Sequence, residues 1–216
     1  MIIRVAKICS EVISKNHIYV ATDSKIISDV VEENGYKTIF TSEDCLTGTD
    51  RVAEASKELD ADIILNVQGD EPLLNPNDIL KVIKKKKKNM NEVICGYAKI
   101  SESEDPKDVN IPKIIFNDSG KLIYASRSAI PGCKSNASKP QEYYKQVCIY
   151  AFSKEQLSDF YELKQKSSLE TVEDIEILRF FETNTKVVMC KLSEGSLAVD
   201  VPEDVAKVEK ALSDTS

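Results

Sequence analysis

The sequence predicts an α/β protein with a doubly wound, mostly parallel sheet and an antiparallel part. Short β-rich runs alternate with helical patterns in the first half, which requires crossover connections and a sheet covered on both faces. Beyond Asn89, strand-like runs follow one another with turn residues between them, which is typical of hairpins. The 216 residues are enough for one core. We therefore expect a single domain over 1–216, with 93–152 contributing the antiparallel part.

Local signals support each element of the first half. Apolar residues of 1–14 fall on one helical face, so the chain opens on a helix. Asp23 or Ser24 is suited to cap a helix over 25–34, and Gly35 is suited to end it. The other predicted elements are strands over 17–22, 37–41 and 62–67 and helices over 50–59 and 77–88.

The second half continues with strands and then helices. The turn Asn117–Gly120 separates two predicted strands, and Pro202 stands where a first helical turn is expected. The segment 131–140 is the best candidate for a mobile loop. The predicted strands cover 93–100, 113–116, 122–125, 147–152 and 186–192, and the predicted helices cover 153–164, 170–182 and 202–212.

Composition narrows the function classes. The net charge of -7 argues against nucleic-acid binding, which needs a clustered basic face. The one basic run, Lys84–Lys88, is predicted to be the solvated end of a helix. The six cysteines are widely spaced without a CxxC pair, so they indicate reduced core residues. No apolar run has the length of a membrane span, so we expect a cytoplasmic protein without a membrane partner.

Two acidic clusters follow predicted strands. In an open parallel sheet, ligands gather at the carboxyl ends of the strands. Gly69 lets the backbone approach a ligand, and Asp70 and Glu71 offer the hard oxygen donors that Mg²⁺ prefers. Asp200 lies in a second cluster, AVDVPED, so Asp70 and Asp200 could share a metal ion. Helix capping explains such aspartates equally well at the second cluster.

Two further patches suit an anionic ligand. Thr47–Arg51 is a turn before a helix, and it offers backbone N–H groups, two hydroxyls and a guanidinium. Arg127 stands at a predicted strand end. Each arginine alone is more often half of a surface ion pair, but together they make an anion site plausible. His17 is the only histidine, so the chain offers no Ser-His-Asp or Cys-His system.

Seven motifs, in this order and spacing, resemble the 3-deoxy-manno-octulosonate cytidylyltransferases, or CMP-Kdo synthetases. The resemblance covers essentially the whole chain. Its most specific part is the combination of NVQGDEP with ATD, GTDR and VDxPED. The motifs are ATDS (21–24), TGTDR (47–51), NVQGDEPL (66–73), YASRSAIP (124–131), CIYAF (148–152), ETVEDIEILR (170–179) and AVDVPED (198–204).

The resemblance implies a fold and a function. The fold is a Rossmann-like domain of the nucleotide-diphospho-sugar transferase type, usually a homodimer. The function is the use of CTP and Mg²⁺ to make CMP-Kdo from Kdo, an acidic 3-deoxy sugar, for lipopolysaccharide or capsule. In this chemistry the anomeric hydroxyl attacks the α-phosphorus of CTP and releases pyrophosphate, so positioning and charge neutralisation supply the catalysis without a protein nucleophile.

The resemblance also implies roles for individual residues. Asp70 and Asp200 would bind the metal ion and, with Arg127, would be the catalytic residues. The nucleotide-binding residues would be Thr47, Gly48, Thr49 and Arg51. The sugar-acid pocket would contain Gln68, Arg127, Tyr150 and Glu176.

The sequence departs from the family in three places. The family begins with a strand and a glycine- and arginine-containing phosphate loop, and Met1 aligns just after them. A mistaken start codon, a shortened gene or a real loss would each explain this, and we expect no turnover from the 216-residue chain alone. Gln146 replaces the family's histidine and Ile177 its glutamine, so the identity of the acid is less secure. The alternatives are activation of a nonulosonic acid, such as sialic or pseudaminic acid, and an inactive remnant that binds or dimerises with a partner.

Overall fold

The computed structural model describes residues 1–102, 104–135, 142–194, 197–199 and 201–213. Its helices are α1 (Ile2–Ser10), α2 (Lys25–Glu33), α3 (Gly48–Ser56), α4 (Pro76–Lys88), α5 (Lys154–Glu162), α6 (Ser168–Glu173) and α7 (Pro202–Ser213). Two 3₁₀ segments cover Lys15–His17 and Glu176–Phe181. The strands are β1 (Tyr19–Thr22), β2 (Lys37–Phe40), β3 (Ile64–Val67), β4 (Val93–Lys99), β5 (Lys113–Phe116), β6 (Leu122–Ser126), β7 (Tyr144–Phe152) and β8 (Val187–Lys191).

The strands form two sheets. β1 and β2 pair in parallel, with Tyr19 opposite Lys37 and Thr22 opposite Phe40. The other six strands form a second sheet in the order β6-β5-β7-β4-β8, and β3 also pairs with β7. Within the described residues, β1 therefore has only β2 as a strand partner, and β3 has only β7.

Strand directions confirm the predicted fold class. β4 runs parallel to β8, and β3 and β4 both run antiparallel to β7. β3, β4 and β8 therefore share one direction, and β7 is inserted against it. The hairpin of β5 and β6 adds the antiparallel strands expected after Asn89. Parallel pairs at β1–β2 and β4–β8 are therefore combined with antiparallel pairs around β7 and the β5–β6 hairpin in a mixed α/β fold.

Side-chain caps determine where several helices begin. The Thr47 side chain accepts a hydrogen bond from the backbone N–H of Asp50 and so begins α3 at the end of a turn. Ser153 and Ser167 form capping boxes at α5 and α6. Among the described residues, no helix has the length and apolar composition that a bilayer crossing requires.

The core has a layer on each face of the larger sheet. One layer includes Ala53 of α3, Leu157 of α5 and Phe180 of the second 3₁₀ segment, all packed against the same strands. The other includes Ile8 of α1 and Ile79 of α4. The sheet is therefore covered by helices on both faces, as the alternating pattern predicted.

The predicted helix over 170–182 is wrong as a single element. α6 ends at Asp174, which has a φ of 49°, and the chain resumes as the 3₁₀ segment Glu176–Phe181. Aspartate is one of the few residues that adopt the left-handed conformation at modest cost. The break turns Glu176 and Arg179 away from the axis of α6, so that Arg179 becomes buried and Glu176 partly buried.

Arg179 forms a buried ion cluster with two carboxylates. Its side chain is 0% exposed and donates to Asp50 at 2.7 and 3.0 Å and to Glu170 at 2.6 and 2.6 Å. The guanidinium also lies 4.0 Å from the ring centroid of Phe160. Asp50 belongs to the first turn of α3, and Glu170 to α6. The cluster therefore joins α3 to the segment that carries Glu176.

The prediction that the lysine run is solvated is wrong at Lys86. This residue is 0% exposed, and its ammonium donates to the carbonyls of Met90 and Glu92 and to Oε1 of Gln156 at 2.7–2.9 Å. Burial lowers the pKa of Lys86 to about 8. Five consecutive residues cover more than one turn of α4, so one of the five lysines must face the core. Three oxygen acceptors around the Lys86 ammonium make its burial possible.

Replacing Arg179 by methionine should lower the free energy of unfolding by about 3–5 kcal/mol, because Asp50 and Glu170 would remain buried without their cation. Denaturant titration measures this loss. Combining Arg179→Met with Asp50→Asn and Glu170→Gln should recover part of it. Lys25→Met, at an exposed pair with Asp29, is the matched control and should leave stability almost unchanged. A loss as small as that of the control would contradict the buried cluster.

The pKa of Lys86 predicts a pH dependence. The lysine keeps its proton to a higher pH in the unfolded chain than in the fold, so stability should rise between pH 8 and 10. Lys86→Met should lower stability overall and remove this part of the rise. Denaturant titrations at several pH values measure the slope, with Lys87→Met at an exposed position of the same run as the control. Equal slopes for Lys86→Met and the wild type would refute the prediction.

Candidate active site

A cavity of about 840 Å³ opens at the carboxyl end of β3. Six of the predicted site residues line it: Thr47, Gln68, Asp70, Arg127, Tyr150 and Glu176. They come from five separate segments of the chain, which the β3–β7 pairing and the Arg179 cluster hold together. We call this space the strand-end cavity. The structure thus brings together residues predicted for the metal ion, the nucleotide and the sugar acid.

Glu176 is the hub of a hydrogen-bond network in the strand-end cavity. Its Oε1 accepts from Nε2 of Gln68 at 2.7 Å, and its Oε2 accepts from the backbone N–H of Thr49 at 2.9 Å. Burial raises the pKa of Glu176, and the Thr49 N–H opposes that shift. The network fixes the Gln68 amide relative to the first turn of α3. Gln68 retains its carbonyl oxygen as an acceptor for a ligand hydroxyl.

Arg127 fastens the end of β6 to the end of α6. Its guanidinium donates to the backbone carbonyls of Val109, Glu173 and Asp174 at 2.7–2.9 Å. Its own backbone N–H donates to the Glu173 carboxylate at 2.8 Å. A guanidinium carries five N–H groups, and these bonds use three of them, while the Asp174 carboxylate lies 3.7 Å from Nη2. The side chain is therefore held in place before any ligand binds.

The TGTDR turn divides its residues between two cavities. Thr47 lines the strand-end cavity, whereas Gly48 and Arg51 line a second cavity on the other side of the turn. Thr49 is buried, and its side chain lines neither space. Arg51 donates to Asp23 at 2.7 Å and to Thr41 Oγ1 at 2.6 Å, so it links the loops after β1 and β2. The turn is close to both cavities, but its residues do not act as one patch.

Asp70 stands beside the AVDVPED segment. The backbone carbonyl of Asp70 accepts from the N–H of Val199 at 2.9 Å, and Ala198, Val201 and Asp204 line the strand-end cavity with it. Asp200, the second predicted metal ligand, lies outside the described residues. Within the described part of the chain, no group of three His, Cys, Asp or Glu side chains is arranged to hold a metal ion.

Two details of NVQGDEP differ from prediction. The space next to Gly69 is taken by Ile2 of α1, because a Cβ at Gly69 would lie 3.1 Å from Cδ1 of Ile2. The glycine thus permits helix packing at that side. Glu71 is 3% exposed, and its Oε1 accepts from the backbone N–H of Cys148 at 3.1 Å. Glu71 therefore ties the loop to β7, which leaves Asp70 as the carboxylate beside the AVDVPED segment.

Tyr150 lies in the floor of the strand-end cavity at 2% exposure. Its hydroxyl accepts from Nε2 of Gln146 at 2.7 Å. Gln146 is the residue that replaces the family's histidine, so this departure directly contacts a predicted sugar-pocket residue. Ile177 is 1% exposed in the core and does not line the cavity.

Sequence reasoning missed a buried ion pair in the cavity wall. Lys145 of β7 and Glu104 form a salt bridge, with side chains 9% and 13% exposed. Both residues line the strand-end cavity. The two residues are 41 positions apart, so no local sequence pattern predicts that they pair. The one available signal is that a lysine is unusual inside an apolar strand such as β7.

The sheet order, the flanking helices and the strand-end cavity define an α/β protein with a ligand site at the carboxyl end of a strand. Comparison with known proteins narrows this class. A family model described as "Cytidylyltransferase" matches residues 1–187. The chain belongs to this cytidylyltransferase family.

Curated relatives and a solved structure agree with this assignment. The chain is 36% identical to 3-deoxy-manno-octulosonate cytidylyltransferase of Christiangramia forsetii, over 92% of this chain and 80% of the relative. It is 35% identical to the protein of the same name from Wolinella succinogenes, over 100% of this chain and 90% of the relative. A CMP:2-keto-3-deoxy-manno-octonic acid synthetase solved with CTP superposes with a TM-score of 0.89 and 29% identity, covering 100% of this chain and 88% of that one.

Proposed function

We propose that this protein transfers a cytidylyl group from CTP to Kdo, giving CMP-Kdo and pyrophosphate. The observation that carries the proposal is the strand-end cavity itself. It joins Gln68, Arg127, Tyr150 and Glu176, the four residues that the resemblance assigns to the sugar acid, with Asp70 and Thr47. The curated relatives cited above carry the name of this activity.

The charges of the strand-end cavity support a requirement for a divalent cation. Among the described residues that line it, carboxylates outnumber cations by nine to four. Such a lining repels a triphosphate and an acidic sugar unless a cation neutralises them. The carboxylates are Asp70, Glu71, Glu104, Asp105, Asp108, Glu170, Asp174, Glu176 and Asp204, and the cations are Arg127, Lys145, Lys166 and Lys207.

Asp70 supplies the kind of oxygen donor that Mg²⁺ prefers. Asp70 offers carboxylate oxygens. Its backbone carbonyl accepts a hydrogen bond from the N–H of Val199, the residue before Asp200. We propose that Asp70 and Asp200 hold Mg²⁺, which prefers oxygen ligands and keeps several waters or phosphate oxygens. The ion would neutralise charge on the CTP phosphates.

The residues around this position would orient the reactants. The Arg127 guanidinium lines the cavity and suits the carboxylate of the sugar acid, which would compete with Asp174 for it. The carbonyl oxygen of Gln68 suits a sugar hydroxyl, because its amide nitrogen is already bound to Glu176. The anomeric oxygen then forms a bond to the α-phosphorus of CTP while the bond to pyrophosphate breaks. Holding the sugar acid and CTP in a fixed orientation accelerates the reaction, because the two reacting atoms are already close together and aligned.

We propose in addition that the protein acts in the cytoplasm as a homodimer and supplies CMP-Kdo for lipopolysaccharide or capsule. These proposals are supported by the family resemblance. Sedimentation of the purified protein tests the homodimer, and a monomer at all concentrations would contradict it.

Two assays test the proposed function together. Calorimetry measures binding of Kdo and of sialic acid, and a coupled assay measures pyrophosphate release from CTP with each acid and Mg²⁺. Release that depends on Kdo supports the proposal, and release that depends on sialic acid supports the nonulosonic alternative. Binding of Kdo without release supports an inactive remnant. Neither binding nor release with Kdo would overturn the proposal.

In a full-length version that also carries the family's N-terminal strand and phosphate loop, replacing Asp70 by asparagine should lower kcat on the order of 10²–10³-fold, because the carboxylate charge at the metal position is lost while the shape is kept. Pyrophosphate release at saturating Mg²⁺ measures the effect. Asp118→Asn, in the exposed turn between β5 and β6, is the matched control and should leave kcat unchanged. Equal kcat values for Asp70→Asn and the control would remove Asp70 from the site.

A further inference from the structure

The outer side of α4 carries lysines without acidic partners. Residues 79–90, ILKVIKKKKKNM, contain six lysines and no aspartate or glutamate. Lys86 faces the core, and Lys81 pairs with the buried Asp78 at 2.7 Å. The other four lysines are partly or fully exposed and form no ion pair within the described chain. We call these four the lysine face: Lys84, Lys85, Lys87 and Lys88.

The lysine face is a local concentration of positive charge on an acidic protein. The whole chain has a net charge of -7. Exposed lysines elsewhere have neutralising partners, as in the pairs Lys99–Glu142 and Lys207–Asp204. Within the lysine face, by contrast, like charges stand three and four residues apart on a helix, where they repel one another. A partner with negative charge would relieve this repulsion.

Exposed apolar side chains accompany the lysine face. Leu80 is 44% exposed and precedes Lys84 by one helical turn and Lys87 by two, so it lies on the same side of α4. Met90 is 39% exposed in the turn directly after the helix. The Lys86 ammonium donates to the Met90 carbonyl at 2.9 Å and so holds this turn against the helix end. The surface therefore suits a partner that accepts cations and apolar side chains together.

The residue types favour a lipid bilayer over other polyanions. Recognition of single phosphates in a nucleic acid favours the bidentate geometry of arginine, and residues 79–90 contain no arginine. Lysine is a point charge, which suits a diffuse anionic surface. A nucleic-acid backbone offers no apolar contact to Leu80 and Met90, whereas the interface of a bilayer accepts such side chains. A flat surface also meets one side of this acidic protein only, which limits repulsion from the rest of the chain.

We propose that the lysine face, with Leu80 and Met90, binds the surface of an anionic lipid bilayer. Clusters of this size on a helix bind acidic lipids, and each lysine contributes roughly fivefold to the partition coefficient. The expectation of no membrane partner depends on apolar runs long enough to span a bilayer, and contact with the surface requires no such run. Binding of this kind does not depend on the proposed catalytic function.

The lysine face and the strand-end cavity lie at opposite ends of α4. The helix begins at Pro76, after the loop that carries Asp70, and ends at Lys88, shortly before the amino end of β4. A helix rises about 1.5 Å per residue, so the two ends of α4 are roughly 18 Å apart. A bilayer in contact with the lysine face would leave the cavity open to solution.

Co-sedimentation with lipid vesicles tests the proposal on the whole protein. The protein should bind vesicles of equal parts phosphatidylglycerol and phosphatidylcholine at low salt, and it should not bind vesicles of phosphatidylcholine alone. High salt should weaken the binding, because it screens the charges. Absence of binding to the phosphatidylglycerol vesicles at low salt would overturn the proposal.

A charge variant locates the binding surface. Glutamine keeps the helix propensity of lysine, and four such replacements should lower the partition coefficient on the order of several hundredfold. The variant is Lys84→Gln, Lys85→Gln, Lys87→Gln and Lys88→Gln. A matched control removes the same number of charges at other exposed positions, and it should change the coefficient by less than about fivefold. The control is Lys107→Gln, Lys134→Gln, Lys164→Gln and Lys210→Gln. Equal losses in the two variants would assign binding to net charge and would refute the lysine face.

An apolar variant separates a bilayer from other anions. Leu80→Ser with Met90→Ser keeps all four lysines and should weaken vesicle binding on the order of tenfold. Unchanged vesicle binding in this variant would contradict the proposal, and this result decides the question if the charge variant fails to fold. Duplex DNA and polyglutamate are the competing probes. Tighter binding of either one than of the vesicles, at the same salt and without an effect of the apolar variant, would identify a nucleic acid or an acidic protein as the partner and would overturn the bilayer.

Discussion

The buried contact of Arg179 with Asp50 and Glu170 holds the strand-end cavity in shape. Asp50 is in the first turn of α3, where Thr47 caps the helix and the Thr49 N–H reaches Glu176. Glu170 is in α6, and Arg127 donates a hydrogen bond to the carbonyl of Glu173 at the end of that helix. A single cation thus fixes the TGTDR turn relative to the ETVEDIEILR segment. The guanidinium donates two hydrogen bonds to each carboxylate, and Thr47 and the Ser167 N–H donate to Asp50 and Glu170 as well, which makes their burial tolerable.

The basic side chains inside the protein and around the strand-end cavity fall into two groups. Some are paired with acceptors inside the protein, and others line the strand-end cavity, where a ligand can contact them. Arg179 and Lys86 are enclosed by acceptors, and Arg51 is bound to Asp23 and Thr41. Arg127 is held by backbone carbonyls and lies 3.7 Å from the Asp174 carboxylate, and it lines the strand-end cavity. The cavity wall is otherwise rich in carboxylates, so an anionic substrate gains little from the protein alone. A divalent cation that binds together with the nucleotide would supply the positive charge that the cavity wall lacks.

Fold and site differ in how far local sequence determines them. Periodicity and caps predicted nearly every element because they act over a few residues, as at Ser24 and Thr47. The break at Asp174 was not predicted, since the helical pattern continues through it and the burial of Arg179 decides the outcome. The buried Lys86 and the tie from Glu71 to Cys148 also depend on partners 70 and 77 residues away. Six of the predicted site residues line one cavity, whereas Gly48, Thr49 and Arg51 do not line it, because their contacts depend on residues distant in the sequence.

A second cavity of about 530 Å³ lies beside the strand-end cavity, and the two share residues. Gln68 and Asp70 line both cavities. β3 forms hydrogen bonds to β7, and among the described residues it has no other strand partner. The loop that carries Gln68 and Asp70 is therefore positioned by this one strand pairing, by the hydrogen bond of Gln68 to Glu176 and by the hydrogen bond of Asp70 to Val199.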